Sequence, residues 1–308
     1  MNRSEVHYPE DVRFAHLIDD AHPSAPGTPA ARLAVISGDG ALFLDEILDD
    51  APVDLQHLLE RGDAELARVK SHSDAALAQG VGLTPVSELT HASAVLRPPQ
   101  IIAIGLNYSA HSSELNVKAD AAPTVFSLWP NSLSGHGATT SWPRALSESI
   151  DYEAELGVII GKHAKDVSEA DALDYVFGYT VVNDITARDI QFAETQWSRC
   201  KSFDGFTPTG PTVVTRDEIA DPQDLHVTTM LDGHLMQDST TGLMVRSVAK
   251  LIAHLSRSAT LLPGTLISTG SPGGAGYSRE PQVFLRDWST VTVAVEGVGA
   301  LTTHCRMT

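Results

Sequence analysis

Short apolar runs separated by polar turns dominate the first fifty residues. Residues 13–18, 32–37 and 41–44 read as strands, and Gly38-Asp39-Gly40 supplies a tight turn between the last two. The period then lengthens: 54–60 and 63–78 carry Leu, Ala and Val at helical spacing, which predicts two helices. A polar connector, 83–96, leads to Arg97-Pro98-Pro99, where paired prolines end regular structure. The domain boundary is placed there, giving a small α+β unit, 1–95, and a larger unit, 96–308. In the larger unit the runs 100–106, 150–160, 175–182, 225–231, 264–268 and 290–295 predict strands. Helical pattern is confined mainly to 168–175, 185–199 and 247–258, the last with Val248, Leu251, Ile252 and Leu255 on one face. The expected fold class is α+β, a mixed sheet with few helices.

Composition narrows the partners. The chain has 308 residues, 42% hydrophobic and 19% charged, enough for a sizeable core, and its apolar runs are far short of a membrane span. Net charge is −18, which opposes a broad grip on nucleic acid or anionic lipid and favours a small molecule or a metal as partner. Cys200 and Cys305 are the two cysteines, so neither a disulfide scaffold nor a cysteine zinc site is expected. The first residues lack the apolar run of a signal peptide, which makes the cytoplasm the expected compartment.

Candidate chemistry starts at Asp151-Tyr152-Glu153-Ala154-Glu155, where a strand period of two puts Glu153 and Glu155 on one face. A lone pair of this kind is ordinarily a solvated strand face. Here an apolar run, 157–160, follows, so burial is expected and the carboxylates need a cation. Asp184 ends a second apolar strand and can reach the same cavity. Three carboxylates suit a hard divalent cation, Mg²⁺ with Mn²⁺ plausible. No Gly-x-Ser-x-Gly elbow, His-Glu-x-x-His motif or phosphate loop is present, and Cys200 is expected to be a packed thiol.

These residues resemble the fumarylacetoacetate hydrolase family over roughly 97–305. The motifs in family order are Gly105-Leu106-Asn107-Tyr108 with His111 and Glu114, the Asp151 to Glu155 segment, Gly178-Tyr179 to Asn183-Asp184 with Ala187-Arg188-Asp189, Lys201-Ser202-Phe203-Asp204, and Thr269-Gly270-Ser271-Pro272-Gly273. The first 95 residues resemble, loosely, the small N-terminal domain of two-domain bacterial members. The resemblance implies a mixed β-sheet roll, a homodimer, and a Mg²⁺ or Mn²⁺ ion on Glu153, Glu155 and Asp184.

It further implies that His111, oriented by Glu114, acts as a base and that Lys201 sits beside metal and substrate. Gln237, Thr240 or Thr241, and Thr269 are expected to donate hydrogen bonds to the substrate. Arg188 and Asp189 are expected to pair internally or brace the metal-bearing loop. Two positions depart from the family pattern: Leu128 stands where a lysine is usual, and Ala110 where an acidic residue commonly precedes the histidine. Leu128 is therefore expected to line the distal pocket and favour apolar acyl groups. The leading expectation is a hydrolase cleaving a C–C bond of a 2,4-dioxo, acylpyruvate-like acid. The alternatives are a decarboxylase, tautomerase or dehydratase of a small 2-oxo acid using the same enolate chemistry, and a non-catalytic binding protein.

Overall fold

The computed structural model describes residues 12–19, 31–109 and 122–308. Strands β1 (Arg13–Ile18), β2 (Arg32–Ser37) and β3 (Gly40–Phe43) form an antiparallel meander. Helices α1 (Leu44–Ile47), α2 (Leu55–Arg61) and α3 (Asp63–Ala78) follow, then β4 (Thr84–Pro85) and β5 (Thr90–His91). Asp54 caps α2, accepting the His57 amide at 2.7 Å. The chain continues through β6 (Ile101–Gly105), β7 (Thr124–Ser127), β8 (Leu133–Ser134), β9 (Thr139–Trp142), β10 (Ile150–Asp151), β11 (Ala154–Ile160), β12 (Val176–Asn183) and β13 (Thr186–Ala187). After these come α4 (Arg188–Ala193), β14 (Thr207–Thr215), β15 (His226–Leu231), β16 (His234–Thr240), α5 (Val248–Ser258), β17 (Leu266–Ser268), β18 (Thr290–Val295) and β19 (Gly299–Met307).

The larger sheet runs β4-β3-β2-β1-β14-β12-β11-β17-β6-β7, with β5 beside β1 and β8 beside β14. The smaller runs β16-β15-β18-β19-β9. Parallel pairs (β17 with β6, β9 with β19) interrupt the antiparallel ladders, so both sheets are mixed. One apolar cluster joins the large sheet to the small one and to α5, through Val158, Tyr179, Val227, Val293 and Leu251. The predicted stripe on α5 is buried in it.

The two units read from the sequence are joined by pairing of β1 with β14, which makes one sheet across the 95/96 boundary. A second apolar cluster draws Phe14, Leu33 and Leu58 from the first unit and Ile101, Ile159 and Leu266 from the second. Three elements are shorter than their patterns predict. The 150–160 run breaks at Tyr152 and Glu153, where the Asp151 carboxylate accepts the Tyr152 amide at 2.9 Å and turns the chain off its ladder. The 185–199 helix contracts to α4, because Thr186 and Ala187 pair with β10 and the Ala187 amide donates to Cys200 O. Only a 3₁₀ turn, Ala172–Tyr175, remains of the 168–175 helix. Among the described residues no helix is long and apolar enough to cross a membrane.

His16 ties β1 to both neighbours inside the core. Its Nδ1 lies 3.1 Å from Ala94 O, and its Nε2 accepts the Leu55 amide at 3.0 Å, which requires a neutral ring. Burial pulls its pKa down from 6.5 to about 4, against the opposing pull of Asp54. The unfolded chain therefore binds a proton between pH 6.5 and 4 that the folded chain refuses. This contribution to stability is complete above pH 6.5 and lost as pH falls towards 4, on the order of 3 kcal/mol over the window. Thermal melts of His16→Gln should lose this part of the pH dependence; wild-type and variant curves that stay parallel would contradict it.

Candidate active site

The β11–β12 ladder brings the predicted carboxylates together. Ala154 pairs with Asn183 and Glu155 with Val182, and the Asp184 amide donates to Glu153 O at 3.0 Å. Glu153, Glu155 and Asp184 are all buried, and one carboxylate oxygen from each lies within 4.8 Å of the others. Glu155 accepts the Ser268 hydroxyl at 2.5 Å and the Gly270 amide at 2.7 Å. Gly270 has φ +98°, and a Cβ there would stand 2.8 Å from Asn107 Cβ, so a glycine lets the turn close on Glu155.

Two cations are buried in the same cluster. Lys201 Nζ donates to Glu153 Oε2 at 2.6 Å and to Asp184 Oδ2 at 2.5 Å. Arg188 reaches Asp151 Oδ2 at 2.8 Å, Glu153 Oε1 at 2.7 Å and Gln191 Oε1 at 3.0 Å. Asp151 also receives the amides of Gly276 and Tyr277, closing the 270–277 loop onto the site. Burial lowers the pKa of Lys201, but Asp184 and Glu153 outweigh it and hold the lysine protonated, above its usual range. Burial, then Asp184 and Glu153, drive Glu155 well above the carboxylate range. Asp184 is pushed up to about 6 by burial against the pull of Lys201.

The donor set fits a divalent cation. All three groups offer oxygen, and Asp184 Oδ1 is buried with no hydrogen-bond partner among the described residues. Charge agrees: with all four ionised, Asp151, Glu153, Glu155 and Asp184 against Arg188 and Lys201 leave two negative charges, which one divalent cation would balance, and their cost without it is what raises Glu155 and Asp184.

Beside the carboxylates lies a cavity with about 10 Å³ open to the centre of a water-sized sphere. Its polar side is the three carboxylates with Lys201, Gln191 and Ser271; its apolar side is Ile104, Leu106, Phe126 and Trp197. Lys201 Nζ stands 5.6 Å from the Phe126 ring centroid, a cation–π contact.

The other predicted residues are placed less directly. Gln237 is buried and spends its amide on the protein: Oε1 accepts the Ala154 amide and the Thr229 hydroxyl, and Nε2 donates to Ser271 and Pro272 O. It braces the start of β11. Thr269 donates to Leu156 O, further along the same strand. Thr240 accepts the Gly242 amide and Thr241 the Leu225 amide, both in a turn away from the carboxylates. Leu128 lies in the core cluster with Val95 and Ile101 and is not among the cavity-lining residues. The Leu128 amide still donates to Ile101 O, so Leu128 keeps the face of Phe126, but it lies one strand period further along, where that face packs into the core, and Phe126 holds the wall position. His111 and Glu114 lie outside the described residues. Cys200 is buried, its thiol donates to Trp197 O, and burial pushes it up to about 12, which makes it inert. Asp189 bonds Ser147 rather than Arg188. The roles of Asp151 and Trp197 were not read from the sequence. Arg188, expected to pair with Asp189 or to brace the metal-bearing loop, pairs instead with Asp151 and Glu153 of that loop.

Residues 100–306 match the family profile described as the C-terminal domain of fumarylacetoacetate (FAA) hydrolase. The chain belongs to the fumarylacetoacetate hydrolase family. It is 36% identical over 291 residues to a mitochondrial oxaloacetate tautomerase of Bos taurus, covering 94% of this chain and 91% of that protein. Its fold matches that of a fumarylacetoacetate hydrolase from Exiguobacterium antarcticum, at 30% identity and TM-score 0.79 over 96% of this chain and 100% of that one. It also matches a maleylpyruvate hydrolase of Sphingobium sp. SYK-6 solved with manganese(II) and pyruvate, at 25% identity and TM-score 0.78, covering 96% and 99%. The family therefore includes tautomerases as well as hydrolases.

Two outcomes check the site. In calorimetric titration with Mn²⁺, Glu155→Ala should lose more than about 100-fold in affinity, beyond the 10–100-fold typical of groups that only orient ligands. Undiminished binding would remove Glu155 from the set. Arg188→Met leaves Asp151 buried without a cation and Glu153 with Lys201 alone, and should cost on the order of 3–5 kcal/mol by denaturant unfolding. A loss under about 1 kcal/mol would mean that the cluster relaxes without it.

Proposed function

We propose that this protein is a divalent-metal-dependent enzyme that enolises a short 2-oxo acid, and that its reaction is keto–enol tautomerisation of an oxaloacetate-like substrate. The observation that carries this reading is a protonated, buried lysine facing a very small cavity beside three carboxylates, one of which keeps an unpaired oxygen. Similarity to the bovine oxaloacetate tautomerase supports the choice of reaction. Glu153, Glu155 and Asp184 would hold Mg²⁺ or Mn²⁺, which supplies Lewis-acid stabilisation of charge on a chelated 2-oxo carboxylate.

The chain's own groups divide the remaining work. Lys201 is held protonated by Asp184 and Glu153, so it donates to the oxygen on which negative charge develops and does not serve as the base. The apolar wall of Ile104, Leu106, Phe126 and Trp197 excludes water, which strengthens that interaction. The described lining offers no free base: the carboxylates are assigned to the metal, and Gln191 is bound to Arg188. The proton on the carbon next to the 2-oxo group is assigned to His111, oriented by Glu114. Assembly as a homodimer belongs to the same proposal and is read from molar mass in solution.

A second reading keeps these residues and adds a water for His111 to activate, giving C–C cleavage of a 2,4-dioxo acid. Similarity to the maleylpyruvate hydrolase supports it. The two separate by products. Mn²⁺-loaded protein given oxaloacetate should speed interconversion of the enol and keto forms with no CO₂ released. Turnover of acylpyruvates to pyruvate plus a carboxylic acid, without tautomerase activity, would favour hydrolysis. His111→Ala should lower the rate by about 10² to 10⁴ with Mn²⁺ affinity kept. Activity near wild type would remove His111 from the mechanism.

A further inference from the structure

The space beside the carboxylates is too small for a 2-oxo acid: about 10 Å³ holds the centre of roughly one water molecule. Admitting a substrate requires a wall to move, and the described walls differ in how they are held. Ile104 and Gly105 belong to β6 and Phe126 to β7. Glu153, Glu155 and Asp184 are fixed by the β11–β12 ladder, and Gln191 by Arg188. Lys201 is held by Glu153 and Asp184 and Ser271 by Gln237, and Leu106 is fixed between β6 and Asn107, whose side chain bonds Arg246 and Thr269. Trp197 lies in neither helix nor strand, in the 194–200 loop between α4 and Lys201, and is only half-buried.

That loop is tethered through its backbone, the Trp197 carbonyl itself accepting the Cys200 thiol, so the part free to move is the indole. Arg199 pairs with Glu194 across its base, and the Ala187 amide donates to Cys200 O, next to the lysine. Between the tethers the indole meets the Phe126 ring edge-on at 5.5 Å between centroids. Its other neighbour is Gly105, where a Cβ would stand 2.3 Å from Trp197 Cζ3. The missing side chain at 105 is what makes room for the indole.

We infer that Trp197 is the movable wall of the metal cavity and sets the length of substrate it accepts, restricting the enzyme to 2-oxo acids with short chains beyond the oxo carbon. This rests on the reading of the site as one for 2-oxo acids. The carboxylate and 2-oxo oxygen are bound at the polar side, so added carbons extend towards the indole. A pyruvate-sized ligand needs a small displacement of the ring, and each further methylene must displace it further from Phe126 and Gly105.

The test is calorimetric titration of Mn²⁺-loaded protein with pyruvate, 2-oxobutanoate, 2-oxopentanoate and 2-oxohexanoate. Wild-type affinity should fall by about tenfold or more between the shortest and longest acid. Trp197→Ala and Trp197→Leu should abolish or reverse that fall, read in each variant as affinity relative to its own pyruvate affinity. Gly105→Ala, whose methyl displaces the ring, should move the profile the same way. Either folded Trp197 variant with the wild-type chain-length profile overturns the inference, so loss of folding in one leaves the other to decide. Wild type that shows the length cut-off but does not interconvert oxaloacetate tautomers overturns the proposed reaction and keeps the wall. Tautomerase activity with a profile indifferent to residue 197 overturns the wall alone, and no binding of any acid overturns both.

Discussion

Asp151, Glu153, Glu155 and Asp184 are buried together where β10, β11 and β12 meet, and charge taken from water costs several kcal/mol per ion unless it is paired. Arg188 and Lys201 pair part of it, and much of the local architecture is arranged to deliver them. The break between β10 and β11 turns Asp151 towards Arg188 and the 276–277 amides while Glu153 reaches both cations. The pairing of β13 with β10 starts α4 at Arg188, and the loop after α4 returns Lys201 to the same point. Two negative charges remain, and the buried Asp184 Oδ1 has no protein donor. The donor set and the remaining charge both fit one divalent cation.

The same constraint assigns the proton chemistry. A lysine clamped between two carboxylates stays charged, which makes it a poor base and suits the proposed hydrogen bond to a developing oxyanion. Gln237 and Thr269, which looked like substrate ligands, instead hold β11 in place from the far sides of the strand. Their contribution is to fix the positions of Glu153 and Glu155, and only then the reaction.

The sequence was legible where local periodicity carried the information. Alternation placed Glu153 and Glu155 together, the end of an apolar strand added Asp184, and the i, i+3, i+4 stripe located α5 and its buried face. It was not legible where distant segments decide. Nothing local to residues 13–18 or 207–215 announces that β1 pairs with β14, yet that pairing merges the expected units into one sheet. Arg188 adjoins Asp189 in the chain but bonds Asp151 and Glu153 across the sheet. Trp197 read as part of a helix, but the chain turns extended at Glu194 and folds back until Cys200 O meets the Ala187 amide, a long-range contact that no local pattern announces. Leu128 was assigned to the pocket by family position, but one strand period beyond Phe126 the same face is already covered by the core, with Val95 and Ile101 in the same cluster.

In the proposed reaction one cation, held by three carboxylates, presents a 2-oxo acid to Lys201. The most direct measurement is an anomalous difference map at the manganese edge from crystals grown with Mn²⁺ and oxalate, an inert mimic of the chelating end. The account predicts one strong peak bonded to Glu153, Glu155 and Asp184, with oxalate chelated on it and one oxalate oxygen within hydrogen-bond reach of Lys201 Nζ. A peak elsewhere, or none at these carboxylates at saturating Mn²⁺, would contradict it.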